Sequence, residues 1–325
     1  MAVLSDISTH PSTATAAARL SDADPHVRRV AILELADLGE PDFVPQFIAA
    51  LREDPSPGVR EEAARILAEW EQEDVVATLC GALSDAEQAV RQAAAQSLSE
   101  LKDAQSARVL LPWMGQSDPF VRESILHGLR ELRSPHAFSA AIHSLNDDVA
   151  AVRLEAIAVL GWLKDPRALA PLGTRLASDP DTSVRRTAAS ALGFASCDDD
   201  AAVAALLNAL SDDAWQVREQ AASTLGKLRA SVAARALVAA LDDAYWQVRL
   251  RAARALGALR DRQAAAPIAA LLRHSISNLR KEAALALGEL GAVETLPALQ
   301  DALEDGDPDV RKSARIAIAQ IEAQA

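Results

Sequence analysis

A Val-Arg pair, once Leu-Arg, returns ten times along this 325-residue chain, with its arginine at Arg28, Arg60, Arg91, Arg122, Arg153, Arg185, Arg218, Arg249, Arg280 and Arg311. Successive arginines lie 32, 31, 31, 31, 32, 33, 31, 31 and 31 residues apart. A domain wrapped around one core has no reason to keep such a period, whereas a stack of like units does, because each unit contacts only its neighbours. Each unit opens with an Asp-rich turn (SDPFVR, SDPDTSVR, GDPDVR) and continues as V-R-x-x-A-A-x-x-L-G-x-L, as in VREQAASTLGKL at 217–228 and VRLRAARALGAL at 248–259. The valine, the alanine pair, the leucine and the last leucine recur near i, i+4, i+8 and i+11, one stripe of an amphipathic helix. Aspartate ahead of that helix suits an N-cap, where it accepts orphan amides and faces the positive end of the dipole. A short break such as KDPRA or RDRQA precedes a companion helix, such as ALAPLGTRL or AAAPIAALL. One hairpin of two such helices has too small an apolar face to survive alone, and stacking buries it continuously. The expected fold is all-α: an α-solenoid of about ten helical hairpins with a right-handed superhelical curve. It is expected to fill residues 1–325 as a single array, with 1–22 as an N-terminal capping helix.

The composition agrees and narrows the function. Half the residues are hydrophobic but only 3% are aromatic, so alanine and leucine fill the apolar share, which favours closely packed helices over a sheet. A formal net charge of -13 and a pI near 5.0 are the wrong sign for gripping a phosphate backbone through the overall field. Cys80 and Cys197 lie far apart, which is neither a disulfide framework nor a zinc motif, and both are expected to be buried or semi-buried free thiols. No apolar run approaches the roughly 20 residues of a membrane span, and the start MAVLSDISTHPST lacks the features of a secretory signal. These readings imply a cytoplasmic protein that does not engage a membrane.

Small residues have a packing role. Gly161, Gly193, Gly226, Gly257 and Gly288 recur inside the Val-Arg helices, where a glycine costs about 1 kcal/mol relative to alanine that close helix approach must offset. Ala36, Ala68, Ser99 and Arg130 stand there in the first four repeats, so stacking is expected to differ in that part. The ten arginines form a ladder that pairs with aspartates of neighbouring repeats, and not a nucleic-acid track.

The string V-R-x-x-A-A-x-x-L-G, from about residue 20 to 322, resembles the HEAT-like repeats first described in phycobilisome lyases. The resemblance implies the fold. For function it implies a range of roles: bilin lyase subunits, phycobilisome-degradation factors, scaffolds and assembly factors. Designed binding scaffolds of similar repeats vary positions on the second helix of each hairpin, which line the concave face. Deoxyhypusine hydroxylase is similar in its repeats but holds two irons with His-Glu dipeptides. Here His10, His26, His127, His136, His143 and His274 are never followed by glutamate. HEAT-like DNA glycosylases present a basic channel, which this acidic chain lacks, and no residue marks a bilin lyase.

If the Val-Arg helix is that second helix, its exposed positions describe the binding face. Phe120, Trp162, Phe194, Trp215 and Trp246 fall where the repeat needs no core residue, and exposed aromatics dominate contact sites. Trp215 and Trp246, 31 residues apart, are expected to stack one repeat apart with Tyr245 beside them. Trp70, at a core leucine position, and Trp113, on a companion helix, are read as structural. His127 is read as a polar contact and not a metal ligand. Positions in the first three repeats are mainly acidic and polar (Glu61, Glu62, Gln92, Gln96), while repeats six to eight bring Arg186, Lys227, Arg251 and Arg254. Such a surface would fix the register of a partner carrying both signs of charge. The expected function is a non-catalytic protein-binding scaffold or assembly factor that holds another protein or peptide on its concave face as a monomer, with no cofactor, metal or nucleic acid. The alternative is an accessory lyase-like or cofactor-carrier protein serving a tetrapyrrole- or metal-containing enzyme.

Overall fold

Two kinds of aspartate start the Val-Arg helices. One is the N-cap: Asp24, Asp118, Asp181 and Asp307 each accept the amide two residues on. Proline follows at the first helical position in three of these, Pro25, Pro119 and Pro308, where its missing N–H costs nothing and its φ already suits the helix. The other stands two residues earlier. Asp54, Asp85, Asp147, Asp212, Asp243 and Asp305 each accept the amide two residues on and so close the turn that aims the helix.

The computed structural model describes residues 11–324, and their regular structure is helical throughout. The chain divides into two compact units, Met1–Leu163 and Lys164–Ala325. In the first unit the Val-Arg helices are Pro25–Ala36, Pro57–Ile66, Gln88–Ser99, Pro119–Leu132 and Ala150–Leu163. Those of the second are Thr182–Ala191, Trp215–Leu228, Trp246–Leu259, Ser277–Leu290 and Pro308–Glu322. A companion helix precedes each, beginning with Pro11–Arg19, which lies in the stretch expected to cap the array; residues 1–10 of that stretch lie outside the described residues. From Val59 onward each anchoring residue is fully buried, Leu279 included, so the apolar stripe lies inside the stack.

The expected ladder is present within each unit. Arg28 grips Asp54, Arg60 grips Asp85 and Arg122 grips Asp147, each through Nε and Nη2 to the two carboxylate oxygens at 2.7–3.0 Å. Arg185–Asp212, Arg218–Asp243 and Arg280–Asp305 repeat the geometry in the second unit. The remaining Nη1 of each arginine donates to carbonyls five and six residues back, as Arg218 does to Asp213 and Asp212. Burial works to raise the Asp243 carboxyl, but hydrogen bonds from Arg218 and the Tyr245 amide prevail and hold it below its ordinary value of 3.8. A carboxylate depressed in this way contributes its stability above its unfolded pKa and loses it as pH falls through the folded one.

The second unit has the tightest helix contacts. A Cβ placed on Gly226 would stand 2.7 Å from the Cβ of Ala255. One on Gly257 would stand 3.0 Å from the Ala286 Cα, and one on Gly288 2.8 Å from the Ala317 Cα. One cross-helix hydrogen bond is common to both units: Ser97 donates its hydroxyl to the Ala64 carbonyl of the preceding Val-Arg helix, and Thr224 donates to the Ala189 carbonyl at the same register. In the first unit a Cβ placed on Gly128 would meet the Leu98 carbonyl at 3.1 Å.

A paired substitution tests this packing. Alanine is the better helix former, yet Gly226→Ala is expected to destabilise the protein by about 1–3 kcal/mol, the usual cost of overpacking. Gly173→Ala, whose new methyl would meet the Ala205 Cβ at an ordinary 3.5 Å, is expected to stabilise by roughly 0.5–1 kcal/mol. Urea unfolding of both variants measures the difference, and equal shifts of the same sign would contradict the close approach at Gly226.

Candidate functional site

The exposed surface of the Val-Arg helices is organised by position along the helix as well as by face. Phe120 sits at the second position of Pro119–Leu132, while Trp215 and Trp246 open their helices. Trp162 is the next-to-last residue of Ala150–Leu163, and Phe194 ends the 3-10 turn Leu192–Phe194 that closes the sixth Val-Arg helix. A helix of fourteen residues is about 20 Å long, so within each unit the rings fall toward opposite ends of the helices. In the first unit Phe120 lies at the N-terminal edge and Trp162 at the C-terminal edge. In the second unit Trp215 and Trp246 are N-terminal and Phe194 is C-terminal.

The expected Trp215–Trp246 stack is corrected by the structure. The ring lying on Trp215 is Tyr245, with centroids 5.4 Å apart and planes 16° from parallel. Tyr245 is the N-cap of the helix that Trp246 opens, which places it on the side of the preceding repeat. The Arg218 guanidinium lies 5.8 Å from the Tyr245 centroid, so a ladder arginine supports the stack. Tyr245 remains 45% exposed. At the opposite edge of the first unit Trp162 is 50% exposed, with the Arg133 guanidinium 4.3 Å from its centroid. Arg133 follows the helix Pro119–Leu132 in the left-handed conformation, φ 51°. Trp70 packs against Phe47, centroids 5.6 Å apart, and Trp113 lies beside Gly81, in keeping with their structural reading.

The basic candidates separate into two kinds. Arg251 donates to Glu219 of the preceding repeat at 3.0 Å, and Arg254 donates to both oxygens of buried Glu282 in the next at 2.6 and 2.7 Å. Their charges are therefore compensated across repeats. Arg186 and Lys227 are exposed and form no ion pair among the described residues; Lys227 lies over Gly193, next to Phe194. In the first unit Arg29 pairs with buried Glu62, and Glu155 takes Arg130 at 3.0 Å and His127 at 3.4 Å. Glu62, Glu155 and Glu282 share one register position, two residues after the ladder arginine, so they form a second row of cross-repeat contacts. The repeat motif leaves this position free, and only the side chains at its neighbours reveal the row.

Phe120 and His127 are brought together. With Gln92, Gln96 and Glu123 they line a cleft of about 330 Å³ between the third and fourth Val-Arg helices. Burial first, and repulsion from Glu155 second, push the Glu123 carboxyl above its ordinary range, against a smaller opposing pull from His127. Among the described residues no group of three or more His, Cys, Asp or Glu side chains is placed to hold a metal ion, and no helix is long and apolar enough to cross a membrane.

A family model of HEAT repeats matches residues 44–130, 109–193, 171–246 and 234–319. The chain belongs to the HEAT-repeat family. Among solved structures it is similar to an engineered protein, with a TM-score of 0.52 and 20% identity over 95% of this chain and 98% of that one. Escherichia coli YibA gives 0.59 and 20% over 83% and 98%. Yeast importin-β (Kap95p) gives 0.67 and 14%, over 96% of this HEAT array and 50% of the importin; the chain thus spans half that protein's length. These likenesses show the fold. Among curated proteins, none matches the sequence.

The cysteines provide a check on where the array is packed. Cys80 is fully buried in the helix Glu73–Ala82, and burial pushes its thiol up to about 12. Cys197, expected to be at least half-buried, is exposed. It stands outside the helices, between Leu192–Phe194 and Asp200–Ala209, where the anchor interval lengthens to 33 residues. An aromatic disulfide reagent at pH 8 is expected to titrate one thiol in the native protein and two in denaturant. Rapid titration of both without denaturant would contradict the packing of the third hairpin.

Proposed function

We propose that the protein is a non-catalytic scaffold or assembly factor that grips a partner polypeptide along the exposed face of its Val-Arg helices, the face the sequence reading takes as concave. The observation carrying this is the half-exposed state of Trp162 and Tyr245 in a chain that is only 3% aromatic. Neither ring is used by the core. Each is oriented by an arginine, Arg133 over Trp162 and Arg218 beside Tyr245. Rings held in place and open to solvent lose little conformational entropy when a partner covers them. Lys227, beside Phe194, and Arg186, near the start of Thr182–Ala191, add positive charge without an ion pair among the described residues.

The two edges call for two variants. Affinity capture from native lysate compares the wild type with Trp215→Ala/Tyr245→Ala/Trp246→Ala and with Trp162→Ala, after helicity is checked. A partner retained by the wild type is expected to bind at least about 30-fold more weakly to one variant, as for a hot spot of 2 kcal/mol. Identical capture by all three proteins would contradict the aromatic face.

A further inference from the structure

The cleft between Gln88–Ser99 and Pro119–Leu132 holds a carboxylate that neither the ladder nor the second row of contacts uses. The register position that carries Glu62, Glu155 and Glu282 elsewhere is Ser124 here, and Ala95 and Ser99 face it from the third repeat. These short side chains leave the space open. Its volume, about 330 Å³, lies at the bottom of the roughly 300–1,000 Å³ range of ligand sites. That suits one long side chain and not a cofactor.

The lining holds one carboxylate, Glu123, and one weakly attracting ring, His127, which Glu155 also engages. Glu123 forms no ion pair or hydrogen bond among the described residues, though burial and Glu155 both disfavour its charge. Gln96 donates one amide hydrogen to Glu100 at 2.9 Å, which leaves its carbonyl oxygen as an acceptor. No lysine or arginine lines the cleft, and nearby Arg130 is held by Glu155 and Glu131. Phe120 supplies an aromatic wall whose face attracts cations and accepts an alkyl stem. An acidic or neutral occupant would leave Glu123 uncompensated, at the cost of a desolvated charge without a partner.

We propose that this cleft receives a lysine or arginine side chain of a partner polypeptide, with its aliphatic stem on Phe120 and its cationic head on Glu123. The proposal rests on the reading of the protein as a polypeptide-binding scaffold and names the residue class read at one point of that face. A bound cation removes the Glu123–Glu155 repulsion and replaces the water that Glu123 has lost. A free diamine carries the same chemistry, and the experiment separates the two sources.

Acetyl-Gly-Lys-Gly-amide, its arginine and norleucine counterparts, and 1,5-diaminopentane are titrated into the full-length protein. Binding is followed by the side-chain resonances of Gln92, Gln96 and His127. The lysine or arginine peptide is expected to shift these resonances with dissociation constants on the order of millimolar, and the norleucine peptide is not. Glu123→Gln is expected to weaken peptide binding about tenfold or more without lowering the thermal midpoint, since it removes an unpaired charge and keeps the shape. The absence of selective shifts in the wild type, or unchanged binding to Glu123→Gln, overturns the proposal. Tighter binding of the diamine than of either peptide also overturns it, by assigning the cleft to a free amine. The titration needs no captured partner, so its failure leaves the aromatic edges standing. Failure of the capture experiment with selective peptide shifts would count against the edges alone.

Discussion

Arg28, Arg60, Arg122, Arg185, Arg218 and Arg280 are each held on both sides of the guanidinium, and this determines how one hairpin can sit on the next. Nη1 reaches back to two carbonyls of its own turn, while Nε and Nη2 meet the carboxylate of the following repeat, as in Arg218 with Asp212, Asp213 and Asp243. That carboxylate also accepts the amide two residues on, Tyr245 in this case. The bond between repeats and the bond shaping the next turn therefore share one group. Lysine, with a single ammonium and no planar fork, cannot replace arginine in this arrangement. The arginine and aspartate side chains of Arg218–Asp243 are 14% and 11% exposed, so the pair lies between a surface ion pair and a buried one. Its partners are satisfied by hydrogen bonds, the condition under which such burial is tolerated.

The ladder skips two steps. Gln116 follows Arg91 and His274 follows Arg249 at the aspartate position. At His274 the turn survives, because ring Nδ1 accepts the Ile276 amide at 3.1 Å in place of a carboxylate oxygen. The first skipped step joins the same two repeats that the cleft separates. Where the cross-repeat carboxylates are missing and the facing side chains are short, the surface opens and Glu123 is left without an ion pair among the described residues.

The fold was legible because a period of 31 to 33 residues leaves few alternatives, and the ladder was legible because an aspartate stands 25 to 27 residues after each of Arg28, Arg60, Arg122, Arg185, Arg218 and Arg280. The surface was less so. Register assigns a residue to a face, but the helix axis separates Trp162 from Phe120 on that face. The string DDAYWQVR aligns its tryptophan with Trp215, yet the ring that reaches back is Tyr245, because the N-cap residue points toward the preceding repeat. Arg251 and Arg254 look like free positive charge in sequence and are paired with Glu219 and Glu282 in the structure, a matter of side-chain reach between units. Cys197 is exposed where a buried or semi-buried thiol was expected, because it stands in the lengthened connector outside the helices.

The ladder as the determinant of repeat stacking is tested most directly by a double-mutant cycle on Arg218 and Asp243. The single variants Arg218→Ala and Asp243→Ala, the double variant and the wild type are unfolded in urea at pH 7. The ladder account predicts a coupling of at least about 1 kcal/mol between the two residues, and none for the matching cycle on Arg91 and Gln116. Additive effects at Arg218 and Asp243 would contradict it and leave the apolar stripe alone to set the stacking.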